Sequence, residues 1–419
     1  MTNVVLIFGY NNTRIYDVKR LKNLSSQKLG AEILLCKDDI SNADRELTPY
    51  TLQVSLKETA QDKLKQLTVI IDEYLASKAL TPVACLPFSD SGVPLGSYYA
   101  AYKNLPHDEP GEKALACLDK YIFRELEKNN VCPGWYKRPI FQKTHSIEEA
   151  KNILENAGRS IFFKPTSEGN SRGCIRISSV NELEASTPLL EKYIKNGVIA
   201  EESIDDCKEY SFDGINGQYI ITEKTTSTGA CRVELQHILP APLNKSDYDQ
   251  LIEAGKFVQK VTGSNGGAVH HELFFNAESK NVYCVEPNRR PAGQKIWDAI
   301  DATYPGANYW EAWFDWASGN KQTIYEMKDN QIYTGIRMLT SKHNGILHKI
   351  NKEALDKLSN KVGMLVLEIS KQESDTITSS PKDNSDFLGY FIFQRQSSNE
   401  LREMLITIEA EIVRALEIG

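Results

Sequence analysis

The chain has 419 residues, 41% hydrophobic and 25% charged, enough to bury several cores, so two to four compact domains are expected. The 49 basic and 56 acidic residues leave a net charge of −7 with no long run of either sign, which argues against a nucleic-acid partner. Eight cysteines (Cys36, Cys85, Cys117, Cys132, Cys174, Cys207, Cys231 and Cys284) form no C-x-x-C pair and no cluster with histidines, so reduced thiols fit better than disulfides or zinc. The apolar stretch Val4 to Phe8 is too short for a signal core and lacks a basic leader, and nothing later approaches membrane-spanning length. A soluble cytoplasmic protein without a membrane partner is the expectation.

In chain order, Val4 to Phe8 reads as a strand ended by Gly9, Ile15 to Gln27 as a helix stopped by Gly30, and Ala31 to Cys36 as a second strand. Ala60, Leu64, Leu67, Ile71, Tyr74 and Leu75 make a helical stripe, and Val83 to Phe88 is a strand closed by Ser89, Asp90, Ser91 and Gly92. This is the pattern of a small doubly wound α/β domain, with a Pro/Gly-bearing linker at 104–112. Ala114, Cys117, Leu118, Tyr121, Ile122 and Leu126 give one amphipathic helix. Short strands follow at 160–164, 198–201, 209–214 and 219–222, the last two joined by an Asn216-Gly217 hairpin turn. Toward the end, Met364 to Ile369 and Phe387 to Phe393 read as strands around a polar, mobile loop at 371–386. Ser397 and Glu400 form a capping box before a helix whose stripe is Leu401, Leu405, Ile408, Ile412 and Leu416.

The chemistry concentrates between His270 and Gly293. Two strands, His270 to Phe275 and Val282 to Pro287, flank a turn near Ser279, which sets Glu272 opposite Glu286. Facing carboxylates repel unless something positive lies between them, and a divalent cation is the economical choice. Period-two alternation adds Asn288 and Arg290 to the same face. Hard oxygen ligands of this kind suit Mg²⁺ or Mn²⁺ shared with phosphate oxygens, which implies a nucleotide. Read alone, the segment is also compatible with a surface hairpin of solvated glutamates.

Upstream, Ile161 to Pro165 is a buried strand carrying Lys164 near its end, followed by Thr166-Ser167-Glu168-Gly169-Asn170-Ser171-Arg172-Gly173. Small residues between two glycines let backbone N–H groups approach an anion, although such a loop is more often an ordinary turn. It is not a Walker A loop, because the lysine precedes the glycines.

Taken in order, these segments resemble the ATP-grasp superfamily. Glu286-Pro287-Asn288-Arg289-Arg290 fits its E-x-N-x-R pattern, with Glu272 on the upstream strand; Asp119-Lys120, opening a helix after the linker, and Lys164-Pro165 look like its two nucleotide lysines. Glu201-Glu202-Ser203-Ile204 resembles the adenine hinge and Glu209 the ribose acid. Val233 to Leu243, with Glu234 and His237 three places on, is similar to the substrate segment of bacterial L-amino acid ligases of the bacilysin-synthetase kind. From the residues alone, Glu234 and His237 could equally be a strand-end carboxylate and a structural histidine.

The resemblance implies an N-terminal α/β domain (1–112), an ATP-grasp small lobe (113–200), a large lobe with the metal site (201–325) and a C-terminal α+β subdomain (326–419). It further implies ATP with two Mg²⁺ ions, small-molecule amino-acid substrates and, by family habit, a homodimer. Lys120, Lys164 and a loop with Ser167, Gly169, Ser171 and Gly173 would hold the phosphates, Glu272, Glu286 and Asn288 the metal, and Arg290 the developing oxyanion. The two arginines compete for that last role, and strand parity selects Arg290. The implied reaction is amide formation through an acyl phosphate. Rival readings are a ligase or carboxylase of the biotin-carboxylase or purine-pathway kind, and a non-catalytic nucleotide-binding regulator.

Overall fold

The computed structural model describes residues 1–169, 172–227, 232–320, 325 and 332–419. The first unit runs β1 (Thr2–Phe8), α1 (Ile15–Leu29), β2 (Glu32–Lys37), α2 (Asn42–Leu47), β3 (Thr51–Gln53), α3 (Gln61–Ser77), β4 (Leu80–Pro87) and α4 (Gly92–Tyr102). Its sheet is parallel in the order β3-β2-β1-β4. Val4 to Phe8 are wholly buried because β1 is central and helices cover both faces, which is why the strand has no polar alternation.

The next stretch departs from the sequence expectation. The single helix read through Ala114 to Leu126 is broken into α5 (Glu112–Leu115) and α6 (Lys120–Lys128). Asp119 stands between them in extended conformation, and its side chain accepts from the N–H groups of Tyr121 and Ile122, opening the second helix as an N-cap. The continuous apolar stripe concealed that break. Then come β5 (Phe141–Thr144), α7 (Ile147–Ala157), β6 (Ile161–Pro165), β7 (Ile175–Ile177), α8 (Val180–Ile194) and β8 (Val198–Glu202), with strands in the antiparallel order β5-β8-β6-β7. Helices α7 and α8 cover this sheet around Phe163, Leu190 and Val198.

The largest sheet begins with β9 (Lys208–Ile215), β10 (Gln218–Thr226) and β11 (Glu234–Leu239), passes α9 (Lys245–Thr262), and continues with β12 (Val269–Phe275) and β13 (Val282–Glu286). Asn216 and Gly217 both take positive φ (47° and 86°), the twist a two-residue hairpin needs. Helices α10 (Ile296–Thr303) and α11 (Tyr309–Ala317) bring Trp297, Trp310 and Trp313 against Phe88 of the first unit.

The remaining elements are β14 (Tyr333–Leu339), β15 (Gly345–Ile350), α12 (Lys352–Val362), β16 (Val366–Ile369), β17 (Thr376–Ile377), β18 (Gly389–Arg395), α13 (Ser398–Arg414) and β19 (Leu416–Ile418). The large sheet has the order β13-β12-β9-β10-β11-β14-β18-β16, so the expected boundary at 325/326 falls inside one sheet, not between two. The polar segment 371–386 contains β17, which pairs with β15, so it is built into a small sheet and not left as a plain loop. Ser397 accepts from the Glu400 N–H, and Leu401, Leu405, Ile408 and Ile412 of α13 are buried against β14 and β18.

Candidate active site

Across the β12–β13 ladder Glu272 pairs with Glu286 as expected, through a register shift next to Leu273, since the pairs nearer the turn (Leu273–Cys284, Phe274–Tyr283, Phe275–Val282) lie one residue out of the expected register. Among the described residues each carboxylate is answered by a lysine. Lys120 Nζ donates to Glu286 Oε1 at 2.9 Å, and Lys224 Nζ to Glu272 Oε1 at 3.0 Å.

Lys224, on β10, has a wholly buried side chain that also meets Glu209 on β9 at 2.7 Å and Glu234 on β11. Strands β12, β9, β10 and β11 are consecutive in the sheet, so each contributes one charged group to a single face. Carboxylate oxygens of Glu209, Glu234 and Glu272 lie within 4.8 Å of one another. Burial works against the Lys224 charge, yet the three carboxylates push its pKa well above the ordinary lysine value. Burial raises Glu209, while Lys224 outweighs burial at Glu234 and Glu272 and holds both below the usual carboxylate range.

His270 joins this face. Its Nδ1 lies 2.6 Å from Asp213 Oδ1 and its Nε2 3.7 Å from Glu272 Oε1. Asp213 also accepts from the Ser211 and Thr222 hydroxyls, so it is a fully served buried carboxylate. Burial opposes charging His270, but Asp213 raises its pKa to about 9. The next residue points the other way: His271 stacks on Phe212, its Nδ1 accepts from the Asn288 N–H, and burial drops its pKa to about 3.

At the other end, Lys120 is pinned to the loop after β6. Its N–H donates to the Thr166 carbonyl at 2.8 Å and its Nζ to the Glu168 carbonyl at 2.6 Å. Burial would lower the Lys120 pKa, but Glu286 raises it above the ordinary lysine value. Ser167 Oγ reaches Asp119 Oδ2 at 3.5 Å. Gly169 has open space around it, whereas Gly173 sits at φ +71°, where a β-carbon would fall 2.5 Å from Tyr193 Cε2. Ser171 lies outside the described residues.

Lys164 Nζ donates to Glu201 Oε2 at 2.7 Å, and Arg124 Nε to Glu201 Oε1 at 2.6 Å. Burial alone would raise Glu201, but these two cations hold it at about 2. Both Glu201 oxygens are thus engaged inside the protein, so this side chain aims Lys164 and has no oxygen left over for a base. Glu202 accepts from the Ile140 N–H and from Arg159, and Ile204 lies two residues past the end of β8.

The two arginines have different surroundings. Arg289 is buried and donates to the carbonyls of Glu109, Thr262 and Gly263 and to Ser97 Oγ. Arg290 points into the site, with Nε on Asp90 Oδ1 at 2.7 Å. With its amide NH2 turned toward Asp90, Asn288 donates to the same oxygen at 2.8 Å. His237 bonds through Nε2 to Gln294 and lies 3.5 Å from Glu234, and its buried Nδ1 has no hydrogen-bond partner among the described residues.

Lys224 and Asp90 had no assigned role in the sequence reading. The signal for Lys224 is a charged pair, Glu223-Lys224, closing the apolar run Tyr219 to Thr222. For Asp90 it is position, at the carboxyl end of a parallel strand, where α/β sheets gather ligands.

The donor set can be tested against a hard divalent cation. Glu272 and Glu286 face each other and use only Oε1 for their lysines among the described contacts, leaving an oxygen each. That fits a small oxygen-seeking ion. Asn288 is wholly buried with its amide on Asp90, and would have to turn to join them.

No family model matches the chain, and no curated protein matches it by sequence. Solved structures do match by shape. The L-amino acid ligase from Bacillus licheniformis shares 16% identity at a TM-score of 0.76, covering 100% of this chain and 98% of that one. Phosphoribosylglycinamide synthetase from Anaerococcus prevotii shares 17% identity at a TM-score of 0.67, covering 100% and 99%. N5-carboxyaminoimidazole synthetase from Staphylococcus aureus, complexed with ADP, shares 14% at a TM-score of 0.65, covering 97% of each. The chain therefore shares the overall fold of these three enzymes. Over its full length it is similar to an L-amino acid ligase. No helix among the described residues is long and apolar enough to cross a membrane.

Proposed function

We propose that the protein is an ATP-dependent ligase that joins an amino-acid carboxylate to an amine, releasing ADP and phosphate. The observation that carries this reading is the Glu272–Glu286 pair with Lys120 and Arg290 beside it, on a fold shared with such ligases. A carboxylate and an amine do not condense in water at neutral pH, because oxide is a hopeless leaving group. Phosphorylating the carboxylate makes the leaving group phosphate.

In this reading Lys120, Lys164 and the 166–173 loop neutralise the nucleotide phosphates, with Lys164 held in aim by Glu201. The backbone of the hinge at Glu201, Glu202 and Ile204 receives the base, since the Glu201 carboxylate is engaged by Arg124 and Lys164, and Glu209 receives the ribose. Glu272, Glu286 and Asn288 would hold Mg²⁺, or Mn²⁺ in its place, and the ion supplies charge stabilisation at the transferred phosphoryl group. Glu234 and His237 hold the amino end of the substrate, and Arg290, oriented by Asp90, stabilises the oxyanion as the amine attacks the acyl carbon. Acyl phosphates hydrolyse, so the loop must cover them while the amine arrives.

The test is phosphate release from ATP and Mg²⁺ over all pairs of the twenty amino acids, with mass spectrometry on active wells. A product mass equal to two amino acids less water supports the reading; release that ignores amino acids but follows bicarbonate supports the second one. That second reading, a purine-pathway-like or carboxylase-like reaction, is favoured by the full-length likeness to the two synthetases.

A further inference from the structure

Lys224 lies on no sequence motif, yet it touches more of the site than any other side chain described above. Its ammonium meets Glu209, Glu234 and Glu272, which the proposed function gives to the ribose, the substrate and the metal respectively. The residue before it cannot substitute: Glu223 faces the opposite side of the sheet, where it takes Lys208 and Arg402.

Three half-buried carboxylates whose oxygens lie within 4.8 Å repel, and one ammonium leaves two negative charges among them. A divalent cation arriving at Glu272 therefore finds Oε1 already engaged at 3.0 Å by a fixed positive charge, with His270 Nε2 3.7 Å from the same oxygen. Small divalent ions need several oxygen ligands, and a nucleotide's phosphates supply those the protein withholds.

We propose that Lys224 is a positioning residue serving as the resident counter-ion of the site: it holds Glu209, Glu234 and Glu272 together and keeps them from binding a divalent cation until a nucleotide brings its phosphates. This rests on the reading that a nucleotide and its metal bind here. Lys224 need not touch the reacting atoms. It fixes the spacing between the nucleotide end and the substrate end, and it makes metal entry conditional.

The experiment uses the full chain with Mn²⁺ as the probe, followed by electron paramagnetic resonance, with and without ADP. Wild type should bind Mn²⁺ weakly alone and more tightly with ADP. Lys224→Met should bind Mn²⁺ alone at least about tenfold more tightly than wild type, the effect of removing a unit charge a few ångströms from the ion. Lys224→Arg should behave as wild type. Lys224→Met binding Mn²⁺ alone no more tightly than wild type would overturn the proposal, as would wild type binding Mn²⁺ equally well with and without ADP. Should Lys224→Met fail to fold, Lys224→Gln replaces it, and the wild-type comparison decides on its own. Titration calorimetry of ADP with Mg²⁺ on wild type reads the underlying nucleotide site separately: no ADP binding sinks that reading, whatever the Lys224 variants do with Mn²⁺ alone.

Discussion

Replacing Arg124 with methionine tests whether the buried charges behind Lys164 are arranged as described. The guanidinium donates to Glu201 at 2.6 Å, to Glu127 at 3.0 Å and to the Cys284 carbonyl at 2.9 Å, and it is 1% exposed. Methionine fills most of its volume but leaves Glu201 to Lys164 alone and Glu127 to the Tyr136 hydroxyl. Removing one partner of a buried ion pair costs about 3–5 kcal/mol, mainly because the other charge is stranded. At roughly 2–4 °C per kcal/mol for a cooperative unit of about 150–250 residues, the melting temperature should fall by ~10 °C. Thermal and urea melts at pH 7 measure this, and Arg124→Met with Glu201→Gln should recover a good part of the loss by removing the stranded charge. A single variant within about 1 kcal/mol of wild type, or a double variant worse than the single, would refute the reasoning.

Arg290→Ala should lower turnover by about 10² or more with little change in apparent ATP affinity, as for the loss of an oxyanion donor. Arg289→Ala should instead unfold easily, losing about 3 kcal/mol, because three backbone carbonyls lose their donor; urea melts and steady-state kinetics separate the two. Gly173→Ala should cost about 1–2 kcal/mol through its positive φ and the Tyr193 clash, while Gly169→Ala, with open space around it, should be neutral by thermal melt. The two adjacent histidines should bend the stability profile in opposite directions. His270, raised to about 9 from 6.5, contributes stability that is complete below pH 6.5 and lost as pH climbs through 9; His271, lowered to about 3, makes stability fall as pH drops from 6.5 toward 3, because only the unfolded chain takes up that proton. Urea melts from pH 4 to 9 on wild type, His270→Asn and His271→Asn check this, each variant flattening only its own limb.

The parts of this molecule readable in advance are those governed by local periodicity. The Glu272–Glu286 pairing was expected from the turn position, but the turn itself sets Leu273–Cys284, Phe274–Tyr283 and Phe275–Val282, one residue out of that register, and the irregularity between Glu272 and Leu273 brings the two carboxylates opposite each other. The Asn216-Gly217 hairpin and the central parallel strand were readable from local pattern. What escaped depends on which strands lie side by side. Lys224 becomes a hub only because β10 sits between β9 and β11, with β12 beyond, an order that no local pattern encodes. Asp90 reads as a turn residue until Arg290, 200 positions later, folds onto it. The break at Asp119 was hidden from periodicity by apolar spacing that continues through it, although the resemblance had Asp119-Lys120 opening a helix, as the N-cap does. The sheet crosses 325/326 because β14 pairs with β11 on one side and β18 on the other, partnerships between distant segments that no local pattern marks.

That shared sheet ties the last long helix mechanically to the candidate site. Arg402, on the last long helix, grips Glu223 from behind, while the very next residue, Lys224, faces the three glutamates in front. The helix and the carboxylate cluster are two sides of one plate, one residue thick. Shortening the chain before Ser397, or pulling on α13 with a bulky fusion, would loosen the anchor of β10 and shift an ammonium whose contacts are about 3 Å long. The far end of the protein therefore belongs in any preparation meant to measure what the front of the plate does.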